Sequence, residues 1–433
     1  MLINKAYKTE LQVNNKQASY FTECAGAMRK IYNWGLSYWI EEHNAGKKRS
    51  SWRNVIRELT KLKHSEFIWL YKYPQSIAYY ALKNCDKGYQ KFFRDIENGK
   101  KASIPKFKSK KHSNAKFTIN GEKVKVEEAE IQLPIVGSVR LKEHGYIPVN
   151  KKIVSVTIFE KCKRWYICVN IEEEVEEKNA FPEHVIGVDL GIKHLAVTSD
   201  GVCYENPKLL DKYKKKLKLL DRRVSRKVEG SKNREKAKLE KAKLHAKIAR
   251  MRKYNLNKIT TELAKTKSVI VIEDLAVSEM YKNHYLAKAI ADTSFAEFRR
   301  MLEYKCPKYG SKLVVVDRFF PSSKTCSNCG VIKDDLTLKD RTFKCSDCGF
   351  EIDRDLNAAL NLKARAKYAQ SYACGEDISP AEDLQATSLK QEAGSNATKS
   401  VNPAYLLWEI LESGETGGRK PPKVLPVSVF CDY

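Results

Sequence analysis

The stretch DRFFPSSKTCSNCGVIKDDLTLKDRTFKCSDCGFEIDRDLNAA, Asp317 to Ala359, decides how the rest of the chain is read. It holds two Cys-x-x-Cys pairs, Cys326/Cys329 and Cys345/Cys348, with 15 residues between them, and an acidic cluster opens a helical pattern within seven residues of Cys348. Four thiolates at this spacing suit one tetrahedral Zn²⁺, each pair on a turn and the intervening residues folded as a short hairpin. Four protein ligands leave the metal no open position for water, so its expected role is structural. The ribbon adjoins a candidate catalytic carboxylate. The rest of the chain is therefore either a nuclease or a scaffold for a nucleic-acid-binding ribbon.

On the N-terminal side of this stretch, KLVVVD (312–317) and SVIVIEDL (268–275) are near-continuous apolar runs, the pattern of buried strands. The second ends in Glu273-Asp274 and delivers a carboxylate at the strand's C-terminal edge. Along such a strand Val269, Val271 and Glu273 share one face while Asp274 points to the other. Between the two runs, Ser294-x-x-Glu297 reads as a capping box for a helix bearing Phe298 and Leu302. Further back, VIGVDLGIKHLAVTSDGVCY (185–204) reads as a strand ending in Asp189, a Gly-bearing bend, a second strand, and a Ser199-Asp200-Gly201 turn into a third.

Asp189, Glu273 and Asp355 thus stand at two strand ends and a helix start. Two-metal phosphodiesterases need carboxylates so placed, bridging two Mg²⁺ ions about 3.5–4 Å apart that activate water and stabilise the leaving oxygen. Taken alone, each acid reads equally well as an ordinary surface residue.

Residues 208–253 carry 20 Lys or Arg against five acids, with apolar stripes Leu217/Leu220/Val224 and Leu244/Ile248/Met251 broken at Gly230-Ser231. This predicts two long basic helices whose charged face, including Lys214, Lys215, Lys216, Arg222 and Arg223, is a candidate phosphate contact.

The N-terminal half begins with a strand over 2–13 and, after Asn14-Asn15, a stripe of Phe21, Ala25, Met28, Tyr32, Leu36 and Trp39 that predicts an amphipathic helix of about six turns. Two more helices follow, over Trp52 to His64 and after Pro74. Their aromatics serve as core or as base-stacking groups. In KKASIPKFKSKKHSNAKFT (100–118), Lys106, Lys108, Lys110 and Lys111 interleave with Phe107 and Phe117. This segment is either a solvated loop or a track for a phosphate backbone with an aromatic to stack on an unpaired base.

Alternation then marks short antiparallel strands at Val124/Val126, Ile131/Leu133, Val139/Leu141, Val154/Val156/Ile158 and Trp165/Ile167/Val169/Ile171. They predict a small barrel closed by the N-terminal strand, which makes the helical module an insertion. Glu172 to Glu177 reads as a solvated linker. Beyond Tyr372 the composition turns Ser/Ala/Glu/Gly-rich, as expected of a disordered tail.

The formal net charge is +27 over 433 residues. Residues 375–433 carry nine acids against five Lys or Arg, so the excess positive charge belongs to the body of the chain. Such an excess implies a large polyanionic partner. Of the 12 cysteines only four fall at zinc spacing, and the other eight are scattered. With no apolar segment near the N-terminus and no long apolar run, this points to a reducing intracellular compartment and no membrane.

GVDLGIKHLAV, VIVIEDL, FPSSKTCSNCG with KCSDCG, and DRDLNAALN resemble, in order and spacing, the motifs of the TnpB family, the insertion-sequence-encoded relatives ancestral to type V CRISPR effectors. IYNWGL (31–36), PKFKSKKHS (105–113), PIVGSVRL (134–141), ACGED (373–377) and KQEAG (390–394) extend the likeness over residues 1 to 395. The resemblance implies a multidomain α/β plus β chain. It comprises a wedge-like β-barrel (1–15 and 115–180), a helical recognition module (16–114), an RNase H-like RuvC nuclease domain (181–317 and 350–372), an inserted Cys₄ zinc ribbon (318–349) and a tail (373–433).

By the same match Asp189, Glu273 and Asp355 are the catalytic acids that hold two Mg²⁺. Asp353 is better placed to cap the helix, and Arg318 is a candidate contact to the scissile phosphate. The implied activity is RNA-guided cleavage of double-stranded DNA beside a short adjacent motif, with a guide RNA from the transposon end. The implied setting is a prokaryotic, nucleoid-associated cytoplasmic monomer or homodimer. Two competitors share the motifs, a compact type V CRISPR effector and a non-cleaving RNA-guided regulator of transposition.

Overall fold

The computed structural model describes residues 2–174, 184–337 and 340–371, with side chains as far as 366 in the last helix. They form two compact units, 2–25 with 114–371 and 26–113. The chain opens with β1 (Leu2–Gln12) and passes into α1 (Asn15–Asn44), which contributes to both units. The helix starts on a reciprocal cap: Asn14 Oδ1 accepts from the Gln17 backbone N–H at 2.8 Å, and Gln17 Oε1 accepts from that of Asn14 at 3.1 Å.

The smaller unit packs α1 against α2 (Trp52–Leu62) and α3 (Ser76–Glu97). Ile31, Leu36, Trp39, Val55, Leu59, Ile77, Leu82 and Phe92 are almost wholly buried. A Cβ at Gly35 would lie 2.3 Å from Leu82 Cδ2, so glycine lets α1 and α3 close on each other. The stripe aromatics Tyr32 and Trp39 are core, which removes base stacking from their roles.

In the larger unit, β2 (Lys116–Asn120), β3 (Lys125–Val126), β4 (Glu130–Leu133), β5 (Gly137–Leu141), β6 (Ile153–Lys161) and β7 (Arg164–Glu174) join β1 in an antiparallel sheet of order β2-β6-β7-β1-β5-β4-β3. The first strand is central, running the length of β7 from Leu2↔Glu174 to Leu11↔Trp165. The outer strands β2 and β3 are not paired with each other among the described residues, so pairing leaves the sheet open where the pattern predicts a closed barrel.

Three local expectations fail here for physical reasons. Phe117 is not a stacking group: it lies on β2, is buried, and packs on Phe21 with ring centroids 5.7 Å apart. Val154 does not share the buried face of Val156 and Ile158, because a register shift between Ile153 and Ser155 turns it outward. Glu172 to Glu174 are not linker but the end of β7, where Glu173 takes hydrogen bonds from Tyr7 and Lys5. Residues 175–177 lie outside the described residues, as does the tail expected from 373.

The second sheet comprises β8 (Val185–Asp189), β9 (His194–Thr198) and β10 (Cys203–Glu205), then, after α4 (Leu209–Lys212), α5 (Lys214–Ser225) and α6 (Lys232–Thr266), β11 (Val269–Glu273). Beyond α7 (Val277–Met280), α8 (His284–Thr293) and α9 (Phe295–Tyr309), β12 (Lys312–Val316) completes it. The order is β10-β9-β8-β11-β12. The first three strands are antiparallel, and β11 runs parallel to both β8 and β12. The chain ends its described course in the hairpin β13 (Thr342–Lys344) and β14 (Glu351–Asp353) and in α10 (Arg354–Ser371).

Both faces of this sheet are covered, which explains the continuous apolar runs. Ile186, Val188, Ile270 and Ile272 pack with Leu256, Ile259 and Leu263 of α6 and Phe298, Met301 and Leu302 of α9. Val269, Val271 and Val314 pack on the other side with Leu362 and Ala366 of α10. The capping box at Ser294 does not form. Ser294 takes a left-handed φ of 58° as it closes α8, its hydroxyl donates to the Ala291 carbonyl, and Glu297 instead pairs with Arg300 at 2.7 Å. No helix among the described residues is long and apolar enough to cross a membrane.

Candidate active site and zinc ribbon

Strand parity and helix packing place three carboxylates on one edge. Asp189 shares the face of Val185 and Gly187, and Glu273 that of Val269 and Val271, the face covered by α10. Asp355 stands in the first turn of α10. The close approach depends on Gly187, where a Cβ would meet the Ala359 carbonyl oxygen at 2.0 Å and the Lys363 nitrogen at 2.5 Å. Asp353 caps α10, its Oδ1 accepting from the backbone N–H groups of Asp355 at 2.9 Å and Leu356 at 3.2 Å.

Burial, reinforced by the neighbouring charges of Asp355 and Glu273, pushes the Asp189 carboxyl up to about 7. Arg354 and the Leu190 backbone N–H oppose this without cancelling it. Glu273 is also raised, mainly by burial, against a hydrogen bond from Ser322 Oγ at 3.4 Å. A half-buried acid whose proton affinity is raised by two neighbouring acids marks a site deficient in positive charge, the chemistry a hard divalent cation suits. The three carboxylates flank the edge without crowding into one point. Among the described residues the one group of three or more ligating atoms lying within 4.8 Å of one another is the cysteine cluster.

Asp274 turns to the opposite face, as the alternation requires, and binds both Arg299 of α9 and Arg318. Its carboxyl is held down by Arg318 first and then Arg299. Arg318, the candidate phosphate contact, is thus anchored by Asp274 beside Glu273. The two partners stand 44 residues apart, and no local pattern in the chain marks them as a pair.

In the ribbon, Cys326, Cys329, Cys345 and Cys348 converge, with Cys326 and Cys348 Sγ 3.7 Å apart and Cys329 and Cys345 Sγ 3.6 Å apart. A tetrahedron with Zn–S bonds of about 2.3 Å has edges of roughly 3.8 Å, and a disulfide is only about 2.05 Å. The donor set therefore fits zinc and excludes disulfides. Each pair lies on a turn whose following glycine has positive φ, 82° at Gly330 and 71° at Gly349. The Phe350 backbone N–H and the Asn328 amide stand beside the Cys348 sulfur and lower its thiol, favouring the thiolate a metal takes. Phe343, Leu336, Phe350 and Ile352 make the ribbon's small core.

The basic candidates sit in two places. Lys214, Lys215, Lys216, Arg222 and Arg223 are exposed on α5, which packs on α6 through Leu220, Leu244 and Ile248. In the other unit Lys106, Lys110 and Lys111 are exposed on a loop, whereas Lys108 is pinned, its Nζ 3.4 Å from the Tyr32 ring centre and its backbone bonded to Asn33.

Family models match three segments: OrfB_IS605, described as "Probable transposase", over 166–284; its "Helix-turn-helix domain" over 1–48; and "Cas12f1-like, TNB domain" over 295–362. A "Putative RNA-guided DNA endonuclease" of Streptomyces pristinaespiralis is 32% identical over 396 residues, covering 90% of this chain and 96% of that protein. The chain belongs to the TnpB family. A second relative, "Putative RNA-guided DNA endonuclease InsQ" of Escherichia coli strain K12, is 31% identical and covers 88% of this chain and 99% of that one. The CRISPR-associated endodeoxyribonuclease Cas12f1 of an uncultured archaeon is 25% identical over 224 residues, 46% of this chain and 41% of its own. Within the span matched as helix-turn-helix, this TnpB chain forms the strand β1 and the single long helix α1.

Proposed function

We propose that the chain is an RNA-guided DNA endonuclease whose five-stranded sheet is an RNase H-like RuvC domain, with Asp189, Glu273 and Asp355 as its catalytic acids. The observation that carries this reading is that three acids, from β8, β11 and α10, share one edge of one face, where Asp189 feels both others. The strand order supports it, with three antiparallel strands followed by two parallel ones.

Two Mg²⁺ ions held there would activate the attacking water and stabilise the leaving oxygen. The chain's own residues supply the carboxylates, keep Asp355 fixed by the Asp353 cap, and present Arg318 toward the phosphate from its anchor on Asp274. The cysteine site takes one structural zinc. A guide RNA from the transposon end lies on the basic helices and pairs with the target strand. The seven-stranded sheet and the helical unit serve as the wedge and recognition modules that read the motif beside the target. The protein works in the cytoplasm, against the nucleoid.

Two alternatives are weaker. The Cas12f1 match spans under half of either chain, whereas two relatives named putative RNA-guided DNA endonucleases, neither of them named as CRISPR-associated, match nearly end to end, which favours a transposon-end RNA over a repeat-derived one. All three acids are present, which favours cleavage over a binding-only regulator.

The protein purified with its copurifying RNA is expected to cut matched duplex DNA on both strands in Mg²⁺. Asp189→Ala is expected to keep RNA and DNA binding while losing cleavage by at least about a thousandfold, as removal of a carboxylate that would hold the metal should. Equal cutting by the variant would refute the site.

A further inference from the structure

The segment that leads into the ribbon, Pro321 to Ser327, is tied to two of the three carboxylate-bearing elements at once. On one side Ser322, 5% exposed, donates its hydroxyl to Glu273 Oε2 at the end of β11. On the other side α10 sends in two buried amides. Asn361 Nδ2 donates to the carbonyls of Ser322 at 2.8 Å and Thr325 at 2.6 Å. Asn357 Nδ2 donates to the Thr325 carbonyl at 2.7 Å, and its Oδ1 accepts the Ser327 backbone N–H at 3.0 Å. Thr325 and Ser327 flank the zinc ligand Cys326, and Asn357 is two residues from Asp355.

Helix α10 already packs on the sheet through Ala359, Leu362 and Ala366, so burial alone would hold it down. Apolar packing tolerates sliding and rotation, whereas these directed bonds fix the helix's register against the ribbon root. That register sets where Asp355 stands relative to Glu273, whose own carboxylate is oriented by Ser322. Partners of metal-binding carboxylates act in this way: they do not touch the ion, yet they set the ligand's direction.

We propose that Ser322, Asn357 and Asn361 are positioning residues that make the zinc ribbon part of the carboxylate site, so that the zinc-held root sets the site's affinity for divalent cation. The proposal rests on reading Asp189, Glu273 and Asp355 as a metal site, and the experiment separates the two.

Mn²⁺ is titrated into the full-length, zinc-loaded protein and the free ion followed by electron paramagnetic resonance, with Asp189→Asn marking the carboxylate site. Zinc content and thermal melting are measured for every variant. Ser322→Ala and Asn361→Ala are each expected to weaken the Asp189-dependent Mn²⁺ affinity about tenfold, the lower end of what losing such a partner costs, while one zinc stays bound. Ser322→Thr, which keeps the hydroxyl, is expected to restore the wild-type value. The Ser322 hydroxyl bonds to Glu273, whereas Asn361 grips the ribbon root through its backbone, so Ser322→Ala tests the orienting role even if Asn361→Ala loosens the ribbon. Wild-type Mn²⁺ affinity in Ser322→Ala with zinc retained would overturn the proposal. Failure of Asp189→Asn to remove any Mn²⁺ from the wild-type site would instead overturn the carboxylate reading beneath it.

Discussion

At Gly187 a missing Cβ decides how near a helix can come to a strand. The atoms that a Cβ would strike, the Ala359 carbonyl oxygen at 2.0 Å and the Lys363 nitrogen at 2.5 Å, are backbone and have no rotamer to yield. Gly187→Ala must therefore lift α10 off β8, and we expect a loss of about 3 kcal/mol or more, in the range of severe overpacking, measured by urea unfolding. A variant as stable as wild type would mean that α10 lies farther from the strand. Two residues on, Asp189 carries the opposite kind of tension, electrostatic instead of steric. Its carboxyl titrates at about 7 when folded, against the ordinary 3.8, so the folded chain binds a proton that the unfolded chain has released across that window. Stability then falls as pH rises from 4 toward 7, and the loss is complete above 7. Without added Mg²⁺, zinc-loaded Asp189→Asn is expected to melt above wild type at pH 8 by about 2–4 °C, what roughly 1 kcal/mol yields in a large domain, and the gap should shrink as pH drops to 5. A gap independent of pH would assign the effect to something other than this carboxylate.

At the scale of elements, buried strands and zinc turns are legible from the chain because each leaves a local mark. Continuous apolar runs become β8, β11 and β12, and the parity argument that turns Asp274 away from Glu273 is met by its ion pairs to Arg299 and Arg318. What is not legible depends on partners distant in sequence. Phe117 sits among lysines and reads as a loop aromatic, yet it is core because Phe21, nearly a hundred residues earlier, packs against it. Ser294 has the pattern of an N-cap, but the end of α8 claims the same residue in a left-handed conformation. The Asn357/Asn361 pair, four apart on an otherwise apolar helical face, is a visible signal of buried polar partners; nothing local says that those partners are the ribbon's carbonyls. The ribbon is thus an element whose stability reaches beyond itself. Cys345→Ser is expected to drop zinc from one per chain to none by metal analysis and, because apo ribbons seldom hold their fold, to lower amide-exchange protection in the first turns of α10. Unchanged zinc content, or zinc loss with α10 still fully protected, would show that the helix does not depend on the ribbon.

For the whole molecule the governing quantity is charge. A formal net charge of +27 is costly for a compact chain on its own and is relieved when phosphates bind. Burial of Tyr32, Trp39, Tyr89 and Phe92 takes these rings out of base stacking, while Tyr71 and Phe107 stay exposed, so the helical unit offers phosphate contact with a few rings left to stack, which suits a protein that leaves sequence reading to base pairing. The exposed cations of α5 are one such group. Their side chains face solvent while Leu220 holds the helix down on α6, so they can be neutralised without disturbing the core. Replacing Lys214, Lys215, Lys216, Arg222 and Arg223 by Gln should leave the melting temperature nearly unchanged and weaken RNA binding most at low salt. Each phosphate contact to a single strand adds about 0.7 to the slope of log K against log salt, so five contacts removed should flatten that slope by about 3.5 units. Filter binding or anisotropy across a series of salt concentrations measures it. A slope equal to that of wild type would mean that these five cations are only a solvated face, and that the RNA lies along other basic residues of the chain.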